Sequence, residues 1–461
     1  MLQFNYKRNL PYITIILSFF VIIALELGNG QFKNDDSVII SDVVDYYTYL
    51  PATFIYHDYK LNFLDTYKGP HKFFIWSSQK HNGIRIIKVS MGMTMLYSPF
   101  FFIAHFYALH SNYDAGGYSP PYRFSIMFSN FFYTFLGLFF MAKLLLRYFS
   151  TKITAWTILC YLFGTNLIYY VYWEPGMSHA YSFSLIILFA YLTVKWYERQ
   201  SFLNTIFIGF VLGLITLVRP VNAIIGLFFI LWDIKNFNDI KERFLMFLRN
   251  WSLLLVILFF CILVWVPQFI YWKAVSGSYW YYSYGDERFF FNNPHIIEGL
   301  FSYRKGWLFY TPIMLMPLLG LPLLWKEMRS YFYAIIVIFL IFIYVIFSWW
   351  CWWYGGSFGM RPMIDISGLF AIPLALVLTR ATTYTKFWKN SIIGISIFFV
   401  LLNLFYLEKY RHGSIHFDAM SKKSYWSSFY SIQSKGDYWT VLEPYDYDKA
   451  KKGIYVIIKP K

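Results

Sequence analysis

The sequence predicts an all-α polytopic membrane protein with about 11 transmembrane helices, and three observations carry that expectation. Of its 461 residues 58% are hydrophobic and only 14% are charged, against roughly 25% charged in soluble domains. Apolar runs of about 17 to 25 residues recur along the chain, the length that a hydrocarbon layer about 30 Å thick demands of a helix whose backbone finds no water there. Lys and Arg gather in alternate loops between these runs. The same composition excludes a soluble globular domain, a disordered chain, a coiled coil and a disulfide-stapled secreted fold. The net charge of +16 does not imply nucleic acid, because much of it falls on one set of loops and on the C-terminal tail.

Candidate spans fall near 11–27, 124–146, 154–171, 180–196, 203–218, 221–232, 251–271, 307–325, 332–347, 364–379 and 391–408. The 203–232 pair reads as a tight hairpin broken at Arg219-Pro220. The stretch 91–109 is apolar too, and counting it as a span reverses the orientation of everything after it. The positive-inside rule decides. Without it, Lys7 and Arg8 hold the N-terminus inside, and the inside loops collect Arg147, Lys152, Lys195, Arg199, Lys235, Lys241, Arg243, Arg249, Lys326, Arg329, Arg380, Lys386 and Lys389. The short outside loops then keep only Arg219, Lys273, Arg288, Arg304, Lys305 and Arg361. Residues 91–109 are therefore expected to form a helix at the outer interface.

The first apolar run lacks a small-residue cleavage site and reads as a retained span. Residues 1–408 are expected to form the transmembrane domain, with 28–123 as its first outside loop, and 409–461 a small outside C-terminal appendage. Two runs in that appendage, 438–442 and 453–458, suggest strands. Cys160, Cys261 and Cys351 have neither disulfide nor zinc spacing and read as packing residues.

Polar residues beside or within apolar runs are costly in lipid, and they nominate the site. The first outside loop carries Asp42 and Asp45, three residues apart, and later Asp58. On a helix Asp42 and Asp45 share a face. They suit either a solvated N-terminal cap or a carboxylate acting as general base on an acceptor hydroxyl or amine. Lys88 stands before the 91–109 helix, placed either to snorkel among head groups or to neutralise a phosphate. Glu174 and His179 occupy a short outside turn. Arg219 and Asn222 interrupt an apolar run, where an unpaired guanidinium costs roughly 2.5 kcal/mol or more. Asp286 and Arg288 follow a dense aromatic run, Tyr310 closes a second one, and Arg361 ends a turn that holds four tryptophans and several glycines. The aromatics suit either an interfacial belt or a sugar platform.

In order along the chain these pieces read Asp42-x-x-x-Tyr46 with Leu50-Pro51-Ala52, Lys88-x-x-x-Gly92, Pro175-x-x-Ser178-His179, Arg219-Pro220-x-Asn222, Gly306-x-x-x-Tyr310-Thr311-Pro312 and Gly355-Gly356-Ser357-Phe358-Gly359-x-Arg361. Over about positions 42 to 361 the chain resembles the GT-C superfamily of integral-membrane glycosyltransferases. That group includes protein O-mannosyltransferases and the lipid A aminoarabinose transferase, and the likeness is to its bacterial, functionally undefined branch. The resemblance implies a GT-C-like fold with juxtamembrane helices in the first outside loop. It implies a bacterial inner (cytoplasmic) membrane location, with the N-terminus cytoplasmic and the C-terminus periplasmic. It assigns the acidic residue of the first outside loop, the base or the helper of a metal in that family, to Asp42. Lys88 matches a basic residue that contacts the lipid phosphate, although the neighbouring Glu-Lys-Pro-Pro pattern is absent.

The expected activity is transfer of a sugar from a polyprenyl-phosphate-linked donor to a saccharide, lipid or protein acceptor on the outer side. Asp42, with Asp45 beside it, would take the acceptor proton, and Lys88, His179, Arg219, Asn222 and Arg361 would bind substrate and phosphate. Asp58, Glu174, Asp286, Arg288 and Tyr310 are further candidates. A divalent cation, Mg or Mn, held by Asp42, Asp45 and Asp58 is a candidate cofactor. Membrane lipids are the remaining partners. The rival reading is a transporter or flippase moving a lipid-linked saccharide or other anion through the same cavity.

Overall fold

The computed structural model describes residues 6–67, 79–81, 83–434 and 436–458, with backbone alone for 6–8 and 79–81. The chain is nearly all helical. Among the described residues the only sheet is a two-stranded hairpin of Gln79–His81 and Ile84–Ile86. Seven helices there are long and apolar enough to cross a membrane: Asn9–Lys33, Pro120–Leu145, Ser178–Glu198, Trp251–Ser276, Arg329–Phe347, Met363–Ala381 and Lys386–Arg411.

These seven coincide with seven of the expected spans, and shorter or interrupted helices occupy the other four. Residues 154–171 divide into Thr151–Gly164 and Leu167–Tyr172. Phe202–Val218 is followed by a 3-10 turn, Pro220–Ile225, and the short helix Gly226–Leu231. Residues 307–325 break into pieces from Trp307–Tyr310 to Leu321–Glu327. Prolines 220, 312, 317 and 322 explain most of the breaks, since each removes an N–H and crowds the preceding turn.

Helix starts follow local chemistry. The hydroxyls of Ser150 and Ser201 accept from the amides of Ile153 and Asn204 and cap their helices. Close packing depends on small residues. A Cβ added to Gly209 or Gly213 would lie 2.4 Å from the Ile257 carbonyl oxygen or 2.8 Å from that of Cys261. These two glycines, four residues apart, let Phe202–Val218 press directly on Trp251–Ser276.

The segment after the first long helix holds the helix Asp42–Phe54, and all ten side chains from Val43 to Ala52 are buried. Ser41 makes no side-chain cap there, so the solvated capped helix that the sequence also allowed does not form. The stretch 91–109 forms the helix Gly92–Leu109. It packs on Asp42–Phe54 and Pro120–Leu145 and leaves Phe102, Ile103, Phe106 and Leu109 exposed.

The appendage departs from expectation. Residues 438–442 form a 3-10 turn, Tyr438–Val441, and 453–458 contribute only a single bridge, between Tyr445 and Ile457. Tyr445, Ala450 and Tyr455 of the tail pack on Trp350, Trp352 and Trp353 of the body. Cys160, Cys261 and Cys351 are all unpaired.

Candidate functional site

The Asp42–Phe54 helix begins with Asp42 itself, after backbone held at positive φ by Val38 (63°) and Ser41 (52°). That conformation is unfavourable for non-glycine residues, above all for a β-branched one. It turns the chain so that the Asp42 carboxylate faces the loop arriving from the far end of the sequence. There Arg361 Nη1 donates to Asp42 Oδ2 at 3.0 Å. The pair borders a cavity of about 110 Å³ lined also by Ser41, Trp173, Glu174, Gly355 and Gly356. Burial acts to lower the Arg361 pKa, but Asp42 together with Tyr170, Tyr46 and Glu174 outweighs it and the guanidinium ends above its ordinary value.

The loop carrying Arg361 is fixed from behind. Asn166 Nδ2 and the Tyr170 hydroxyl donate to the Phe358 carbonyl at 3.3 and 3.2 Å. The buried Lys305 ammonium donates to the Ser357 carbonyl, and burial pulls its pKa down to about 7. From the appendage, Asp418 accepts from Trp353 Nε1 at 2.7 Å and from the Tyr447 hydroxyl at 2.6 Å. A Cβ on Gly355 would lie 2.1 Å from the same Asp418 oxygen.

Beneath the cavity His179, Arg219 and Asn222 meet on one residue that the sequence reading passed over, Asp365. Its carboxylate is fully buried. Oδ1 lies 2.8 Å from His179 Nδ1, and Oδ2 lies 3.0 Å from both Arg219 Nε and Asn222 Nδ2. Arg219 Nη1 also approaches His179 Nε2 at 3.3 Å. The His179 contacts fix the ring from both sides, with Nδ1 toward the carboxylate. Asp365 lay inside the run read as the span 364–379. An acid in such a run is itself a signal, because lipid exposure would be costly.

Lys88 is paired. Its ammonium lies 2.6 Å from Glu287 Oε1 and 5.3 Å from the Tyr284 ring centroid. Asp45 is buried one turn along from Asp42 and is not part of the cavity wall. Burial and then the Asp42 charge push its carboxyl up to about 7, against the pull of Lys88. Burial and Asp42 raise the Tyr46 phenol, whereas Arg219 and Arg361 act to lower it. Tyr284 feels Arg219, Asp42 and Glu287 together. Tyr46 also lies 3.3 Å from the Ser178 hydroxyl.

The other candidates divide. Glu174 is in the cavity wall, where it accepts from the Tyr169 hydroxyl at 2.9 Å. Burial raises its carboxyl to about 7. Tyr310 lies under the Arg361 loop and donates to the Tyr303 carbonyl at 2.5 Å. Asp286 is exposed, and its neighbour Glu287 makes the contact instead. Arg288 stacks on Phe290 at 5.1 Å. Asp58 is spent on its own turn, accepting from the amides of Lys60 and Phe63 and from Asn62 Nδ2. Asp42, Asp45 and Asp58 thus do not converge, and among the described residues no group of three or more His, Cys, Asp or Glu side chains is placed to hold a metal. These acids do not fit the cation considered from the sequence.

No family model matches this chain, and no curated protein matches it. Fold and site together define a helical protein with seven helices long and apolar enough to cross a membrane among its described residues, and a cavity lined by Asp42, Glu174 and Arg361.

Proposed function

We propose that this chain is a membrane glycosyltransferase of GT-C type. It has about 11 membrane crossings once the short and interrupted helices are counted as spans, and it resides in a bacterial inner membrane with its cavity on the periplasmic side. It transfers a sugar from a polyprenyl-phosphate-linked donor to an acceptor hydroxyl or amine. The observation that carries this reading is the pairing of Asp42 with Arg361 at the edge of one cavity, from segments far apart in sequence.

The chemistry follows from the charges. Asp42 takes the acceptor proton as the acceptor atom bonds to the anomeric carbon and the bond from that carbon to the phosphate oxygen breaks. The departing phosphate gains charge, which fixed guanidinium groups stabilise. Arg361 has donors to offer, since its buried Nε has no hydrogen-bond partner among the described residues. A phosphate bound there draws Arg361 away from Asp42 and leaves the carboxylate a freer base. Arg219, held by Asp365, supplies a second positive charge that cannot swing aside. Glu174 and Trp173 form the wall available to the acceptor or the sugar.

The test is purified protein in lipid nanodiscs with polyprenyl-phosphate-linked hexose and a panel of acceptors. Asp42→Asn is expected to fold and to lose transfer by about 10²- to 10⁴-fold, the range for a lost general base. A well-folded Asp42→Asn protein with full transfer overturns the assignment.

A further inference from the structure

The helix Phe237–Arg249 differs from the other long helices among the described residues. Its residues are polar and apolar in nearly equal measure, and none of its side chains is buried. A capping box at Asn236 starts it, with the Asn236 side chain and Asp239 each satisfying the other's backbone amide. It stops at Asn250, and the span Trp251–Ser276 begins at the next residue, so a bend separates the two.

Three sectors run along it. Met246 and Phe247 face the bundle, with Phe247 stacked on Phe229 at 5.8 Å. Arg243 pins the helix by donating to the Tyr197 hydroxyl at 2.6 Å and to the carbonyls of Ile230 and Trp232 at 2.8 and 2.5 Å. The second sector is an apolar stripe at helical spacing, Phe237, Ile240, Phe244 and Leu248, exposed throughout and reaching 90% at Phe237. It continues into the exposed Trp251, Leu255 and Leu258 of the adjoining span. The third carries Asn238, Glu242 and Arg249, also exposed.

Its position is set by Tyr197, eighteen residues beyond His179 on one helix and so about 27 Å away at 1.5 Å per residue. That is close to the thickness of the hydrocarbon layer. The helix therefore lies at the opposite membrane face from the candidate site. The exposed Lys152, Lys195, Arg199 and Lys326 share that end by the alternation of the chain, as does Lys241 on the helix itself.

We infer that Phe237–Arg249 lies in the plane of the membrane interface opposite the cavity, with its apolar stripe sunk among acyl chains and Lys241 and Arg249 on the head groups of anionic lipid. The continuity of the stripe with the lipid-facing side of Trp251–Ser276 and the surrounding basic residues both select a lipid surface as the occupant. This inference is independent of the glycosyltransferase reading.

The experiment keeps the full chain in nanodiscs of phosphatidylcholine, alone or mixed with phosphatidylglycerol. Cys160 and Cys351 are buried, so only Cys261 is changed, to Ala, before a spin label is placed at Phe244→Cys, Leu248→Cys or Glu242→Cys. Labels at 244 and 248 should collide with oxygen several-fold more, relative to a water-soluble nickel chelate, than the label at 242. Phosphatidylglycerol should deepen the label at 244, and Lys241→Gln with Arg249→Gln should abolish that shift. Equal water access at 242 and 244, spin–spin broadening from a second copy, or indifference to phosphatidylglycerol overturns the proposal. If Cys261→Ala fails to fold, a benzophenone side chain at 244 in the otherwise native chain gives the same decision. Lipid adducts that increase with phosphatidylglycerol support the proposal, and adducts to protein alone overturn it.

Discussion

Asp42 and Arg361 stand 319 residues apart in the chain and 3.0 Å apart in space. Asp42 keeps 39% of its side chain exposed and Arg361 only 16%, so the acid is the more accessible member and the arginine the more fixed one. The two therefore predict different kinetic defects. Asp42→Asn should lower kcat with little change in the KM for donor, whereas Arg361→Ala should raise that KM and lower kcat as well. Arg361→Lys should recover only part of the loss, because an ammonium cannot reproduce the planar fork. Steady-state transfer with varied donor separates these outcomes.

Asp365 holds three polar partners in a fully buried position. Asp365→Asn leaves the Arg219 guanidinium without its counter-charge, which typically costs about 3 to 5 kcal/mol. The expected result is a clear drop in melting temperature in nanodiscs. Asp365→Leu combined with Arg219→Leu should melt higher than Asp365→Asn, since it removes the orphaned charge. If Asp365→Asn melts like the parent protein, the network is not structural.

The buried carboxyls of Asp45 and Glu174 are both held up to about 7. In the unfolded chain such groups ionise near pH 4. The folded protein therefore binds more protons than the unfolded one between about pH 4 and pH 7, and stability falls as pH rises through that window and then levels. Asp45→Asn and Glu174→Gln should each remove part of the slope in melting temperature against pH. An unchanged slope in both variants contradicts the assignment.

Gly92 meets the end of Phe202–Val218 without a side chain between them. A Cβ there would stand 2.2 Å from the Val218 amide nitrogen, and Ser90 and Met91 are tied to Leu217 and Gln268 at 2.6 and 2.8 Å. Gly92→Ala should cost about 1 to 3 kcal/mol as an overpacked contact. It should also displace Lys88 and Arg219, which flank it, so donor binding should weaken. Thermal melts and donor titration check the two effects separately.

Asp418→Ala removes the acceptor for Trp353 Nε1 and the Tyr447 hydroxyl. A buried donor left unsatisfied costs about 1 to 3 kcal/mol. Limited proteolysis should cut the 409–461 segment faster in this variant, and transfer should fall although Asp42 and Arg361 are intact.

Much of this architecture was legible because membrane helices are written in long apolar runs, which depend little on tertiary context. The break at Arg219-Pro220 was legible too, but the one at Pro312 was not, because a broken helix still reads as one apolar run. His179, Arg219 and Asn222 could be nominated for being expensive in lipid. Their partner Asp365 satisfies the same rule, but it sits inside a span by hydropathy and averaging hid it. The choice of Glu287 over Asp286 depends on how one loop turns, which no local pattern encodes. The strands expected in the tail failed for a related reason. Aromatic and β-branched residues favour strands only when a partner strand is present; here Tyr455 packs on Trp350, Trp352 and Trp353, and Tyr438 and Leu442 pack into the main core.

That surface has a consequence for the order in which the molecule is made. The loop bearing Gly355 and Arg361 is braced by Asp418 and Tyr447, and the Tyr455 hydroxyl donates to the Trp350 carbonyl at 3.0 Å. These braces leave the ribosome after Lys386–Arg411, the last of the seven long apolar helices among the described residues. The cavity wall is therefore finished after those helices, and a chain halted just beyond Lys386–Arg411 has all seven but leaves the loop bearing Arg361 unbraced.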